Sequence, residues 1–148
     1  MCYEFVLSTD APLDLTTLNT ETAFFEPSDD KRYIHNPQHN YKYRIATGAP
    51  NCCSCHFRIV DYDYKDESLE DLQQWYFDEQ PDDMSVINTQ WLLGIIKDLV
   101  NQGYQVDTYV IQGYMEYDPA LEQQVININD ANLDNFTFIE CIYYSYQP

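Results

Sequence analysis

One stretch constrains this chain more than any other. Between Asp82 and Gly103, Met84, Ile87, Trp91, Ile95 and Leu99 recur at helical spacing, and Leu92, Ile96 and Val100 widen the stripe. Asp82 or Asp83 supplies a cap and Gly103 a left-handed stop, which predicts a helix over 84–102. A helix with so broad an apolar face has to be buried against a second layer, and the remaining apolar segments are too short to be further helices of that kind.

They read as strands instead. Residues 3–8 alternate and end at Ser8-Thr9-Asp10; Ala23 to Glu26 is a second short strand, closed by Pro27. Asp14 to Leu18 fits a helical turn, and 31–40 a loop. Tyr41 to Ala46 places Tyr41, Tyr43 and Ile45 on one face and Lys42 and Arg44 on the other. His56 to Val60 points Phe57 and Ile59 inward and His56 and Arg58 outward. Gln105 to Ile111 and Val125 to Ile128 follow, and Phe136 to Tyr144, apolar on both faces, reads as one central strand. Ser68-Leu69-Glu70-Asp71 resembles a capping box opening a short helix near 68–77 that Pro81 terminates. With no internal repeat or linker, the expectation is one α+β domain over 1–148. Its sheet, mixed or antiparallel, has about five to six strands packed by the long helix.

Charge narrows the function. The net charge is −18, and residues 66–148 hold sixteen acids against Lys97 alone. Such a field repels nucleic acid and anionic membrane and attracts basic protein surfaces. With 45% apolar residues, the 148-residue chain folds despite this charge. The N-terminus has neither a basic leader nor an apolar run of signal-peptide length, and no segment approaches the ~18 apolar residues of a membrane span. Five cysteines, three of them at 52, 53 and 55, are read as thiols of a reducing cytoplasm.

Concentrated chemistry occurs at Cys52-Cys53-Ser54-Cys55-His56. In an extended segment Cys53 and Cys55 share a face, and two thiolates with further Cys or His ligands are a zinc-type donor set. Cys2, His35, His39 and His56 are the candidates to complete it. The spacing departs from the familiar paired Cys-x-x-Cys units. A redox reading uses the same thiols, with Arg58 and Arg44 nearby to favour the thiolate. The bland alternative is that they pack a crowded turn, and Cys141 is expected in the core. Lys42, Arg44, His56 and Arg58 form a basic spot that would either hold an anion or pair internally, the latter preferred. Without a nucleophile elbow, a phosphate-cradling loop or a His-Glu-x-x-His motif, enzymatic function ranks third.

The stretch Asn51-Cys52-Cys53-Ser54-Cys55-His56-Phe57-Arg58 resembles the Gly-Cys-Ser-Cys-x-Phe-Arg signature of a group of small, uncharacterised bacterial proteins. The Met1-Cys2 start, Trp75-Tyr76 ahead of an acidic turn and long helix, and the late Phe138-Ile139-Glu140 agree with it, while Cys52 stands in place of the glycine. The resemblance implies no activity, but it singles out Cys53, Cys55, Phe57 and Arg58.

Two functions are therefore carried forward. The first is a non-enzymatic interaction, inhibitor or immunity-like protein that binds a basic partner. Its acidic surface spans 61–83 and 107–122, with Asp61, Asp63, Asp66, Glu67, Glu70, Asp71, Asp78 and Glu79 as contact residues. The alternative is zinc binding or thiol redox chemistry through Cys53-Ser54-Cys55.

Overall fold

The computed structural model describes residues 2–30, 37–78, 82–112 and 120–148. The chain runs as β1 (Tyr3–Thr9), β2 (Ala23–Pro27), β3 (Tyr41–Thr47), β4 (Ile59–Val60), α1 (Leu69–Asp78), α2 (Asp83–Asn101), β5 (Val106–Gln112), β6 (Glu122–Asn127), β7 (Phe138–Ile139) and β8 (Ile142–Gln147). Six strands form one mixed sheet in the order β2-β3-β1-β5-β8-β6, and β4 and β7 pair separately. Within the large sheet the neighbours are antiparallel except β6 and β8, which are parallel. This is the expected α+β architecture. Among the described residues, no helix is long and apolar enough to cross a membrane.

Alternation sorts the two faces of the sheet. Phe5, Leu7, Val106, Val110, Ile142 and Tyr144 enter the main core beneath α2, whereas Val6, Tyr109, Ile111 and Tyr143 form a smaller cluster on the other side. Burial of both faces explains why β1 and β5 are apolar or small almost throughout.

Helix α2 begins where Asp82 accepts a hydrogen bond from Met84 N–H and ends in a Schellman arrangement. There Gly103, at φ +93°, donates to Val100 C=O, and Tyr104 donates to Leu99 C=O. Its buried stripe is rotated from the one the spacing suggested. Asn88, Thr89, Leu92, Leu93, Ile95, Ile96, Leu99 and Val100 face inward, while Ile87 is 59% exposed and Met84 and Trp91 are half-buried. The reason is polar: Asn88 and Thr89 are needed inside to hold backbone groups of the loop ahead of β4. Burying Leu92, Ile96, Leu99 and Val100 stabilises the helix–sheet contact by about 6–12 kcal/mol in all.

Four further expectations need correction. The apolar run at 136–144 is not one strand. β7 ends at Ile139, Cys141 turns the chain at φ +63°, and β8 starts at Ile142. Cys141 accordingly sits half-buried at that turn, not in the core. Regular strand around His56 to Val60 is confined to Ile59–Val60, and Arg58 is buried, 6% exposed, where alternation had put it outside.

Candidate functional site

The segment 52–56 is irregular, yet it is pinned at each step. Ser54 N–H donates to Tyr3 C=O at 2.8 Å, and Thr47 donates to Cys53 C=O through its N–H (3.1 Å) and its hydroxyl (3.0 Å). Asn88 Nδ2 donates to His56 C=O at 3.0 Å. At the centre lies Ser54, fully buried. Its hydroxyl accepts from Phe5 N–H at 2.8 Å and donates to Ile45 C=O. Phe5 and Ile45 are register partners of β1 and β3, so the serine bridges the ladder from the side.

With Ser54 directed inward, Cys53 and Cys55 turn together to the opposite side, as period-two alternation predicts. There they meet Cys2, which precedes β1. The three sulfurs all lie within 4.8 Å of one another, and Cys53 Sγ and Cys55 Sγ are 2.8 Å apart. A disulfide would need about 2.05 Å, and none joins these cysteines. Burial alone would push the Cys53 thiol up, but hydrogen bonding with the Cys55 and Cys2 side chains brings it below the ordinary thiol value. Cys55 is pushed up to about 12 by burial and by its hydrogen bond to Cys53. The main influences on Cys53 are therefore burial and neighbouring sulfurs, not the cation that the sequence suggested.

The other proposed metal ligands do not gather here. His56 Nδ1 lies 3.1 Å from Asp82, and His39 Nε2 3.8 Å from Asp107. His35 lies outside the described residues. Phe57 is a core side chain, its ring 5.1 Å from that of Phe5. The basic spot does not assemble either. Arg44 pairs with Glu26 at 2.8 Å and donates to Cys52 C=O. Lys42 sits five residues before Thr47 on β3, about 17 Å along the strand from the thiol end.

The acidic segment divides in two. Asp61 is half-buried and accepts the Tyr3 hydroxyl, so it serves the fold. Asp63, Asp66, Glu67, Glu70 and Asp71 are exposed on the turn after β4 and on the first turn of α1. Asp78 ends α1, and Glu79 and residues 113–119 of the second acidic stretch lie outside the described residues.

Sequence reasoning missed three polar residues that organise the molecule. Besides Ser54, these are Asp107, fully buried, and Glu140, whose Oε1 accepts from Tyr62 N–H. Acidic residues inside strand-like runs were the available signal for both of the latter. Comparison with protein-family models, with curated proteins and with solved structures returns no match.

Proposed function

We propose that this protein binds a thiophilic metal ion, zinc in the first instance, through Cys2, Cys53 and Cys55. The observation that carries the reading is the convergence of three thiols from two separated parts of the chain. Sulfurs around a tetrahedral zinc at about 2.3 Å lie roughly 3.8 Å apart, so Cys53 and Cys55 would have to open by about 1 Å. The lowered Cys53 value favours its thiolate, whereas Cys55, pushed up to about 12, has to give up its proton as the metal binds. Soft sulfur donors select zinc or copper(I) over harder ions. Cys2 is exposed, which leaves the outer side of the cluster accessible to a fourth ligand. Native mass spectrometry of protein purified without added metal or chelator tests this. One zinc per chain, lost in Cys53→Ser/Cys55→Ser and weakened in Cys2→Ser, is expected. A bare chain that also fails to take up zinc added in slight excess sinks the reading.

A second role is favoured by a separate observation. Five carboxylates between Asp63 and Asp71 stand in solvent, in a chain of net charge −18. This is an interaction surface for a basic protein, and the association is electrostatically steered. Its affinity for a basic peptide should fall steeply between low and physiological salt. Salt-independent binding, or none at low salt, removes it.

A further inference from the structure

Carboxylates spread over a surface attract cations without fixing how they sit; fixing requires a shaped recess. One lies within the acidic segment, where a cavity of about 220 Å³ is lined by Tyr64, Leu72 and Trp75 with Glu67 and Asp71. Leu72 is buried and supplies an apolar floor. The Tyr64 and Trp75 rings stack with centroids 5.9 Å apart and planes 25° from parallel. Both remain half in water, at 47% and 45% exposure. Asp71 and Trp75 are four residues apart on α1, so carboxylate and indole share one helix face.

We propose that this recess takes the guanidinium of an arginine side chain presented by a basic protein partner. This rests on the acidic-surface reading above and gives it a defined contact. A planar guanidinium stacks on an aromatic face while its edge forks to a carboxylate, a combination an ammonium matches poorly. The volume is below the ~300–1,000 Å³ of small-molecule sites and suits a single side chain. The neighbouring Lys65 does not line the recess. Its ammonium lies 2.6 Å from the Tyr62 hydroxyl, 3.5 Å from Glu122 and 4.4 Å from the centroid of the Tyr62 ring.

The test is calorimetric titration of the full chain with a nona-arginine and a nona-lysine peptide at low salt. Tyr64→Ala, Trp75→Ala and Trp75→Phe are measured beside the wild type, with circular dichroism to verify folding. The arginine peptide is expected to bind more tightly than the lysine peptide. Each alanine variant should weaken it about three- to tenfold, with Trp75→Phe in between. Glu67→Gln/Asp71→Asn should reduce binding and flatten its salt dependence. Binding of both peptides with equal affinity, unchanged in folded Tyr64→Ala and Trp75→Ala, overturns the recess while leaving the acidic surface standing. Binding of neither peptide to the wild type overturns both.

Discussion

Replacing Ser54 by alanine tests the joint between fold and site. The hydroxyl is fully buried and makes two hydrogen bonds, from Phe5 N–H at 2.8 Å and to Ile45 C=O. Alanine fills nearly the same space, so packing changes little and the effect is polar. Two backbone groups of adjoining central strands are left without the bridge, at about 1–3 kcal/mol each. Against this stands the removed cost of burying the hydroxyl itself, which brings the expected loss to about 2–4 kcal/mol. With a urea slope near 2 kcal/mol/M, the midpoint should fall by about 1–2 M at unchanged slope. Urea titration followed by far-ultraviolet circular dichroism measures this. Because Ser54 sets the direction of both flanking cysteines, the zinc binding proposed above should weaken in the same variant even where it is fully folded. A loss below about 0.5 kcal/mol would mean that Phe5 N–H and Ile45 C=O find other partners without the serine, and the bridging argument would be refuted.

Asp107→Ala should be the most damaging single change on the sheet. The carboxylate accepts from Ser8 N–H (3.2 Å), the Ser8 hydroxyl, Gln38 N–H (2.8 Å) and the Tyr143 hydroxyl (2.6 Å). A loss of about 3–5 kcal/mol, seen as roughly 8–15 °C in Tm, is expected; a shift under about 3 °C would count against it. Glu140→Gln addresses pH. Burial, and then the nearby Asp61 and Asp63 charges, raise the Glu140 carboxyl, although its bond from Tyr62 N–H opposes the rise. The folded state therefore binds this proton more tightly than the unfolded chain, and stability is lost as pH rises from the ordinary carboxylate value through the raised one. The glutamine variant keeps an acceptor for Tyr62 and lacks this loss. Its stability relative to wild type should improve between pH 4 and pH 7, and a constant or worsening difference across that range refutes the assignment.

Local patterns carried much of the architecture. The caps at Asp82 and Gly103, the stop after Thr9 and the alternation through Tyr41–Thr47 follow from rules that act over a few residues. They fail where a residue answers to a partner far along the chain. The α2 stripe is turned because Asn88 and Thr89 serve the loop around His56 and Arg58, some thirty residues earlier. The run at 136–144 breaks because Glu140 N–H bonds to Val60 C=O and Cys141 N–H to Val110 C=O, which draw the chain toward two different sheets.

By itself, then, the sequence determined the class of fold, its long helix, the acidic exterior and the shared direction of Cys53 and Cys55, since each depends on spacing or composition alone. Tertiary structure decided the rest. It chose Cys2, some fifty residues before Cys53 in the chain, as the third thiol, because β1 lies beside the Cys53 loop. It sent His39 and His56 to Asp107 and Asp82, buried Arg58, and brought Tyr64 over Trp75. Such pairings join residues whose separation in sequence says nothing of their distance in space, and only the closed sheet and its packed helix fix them.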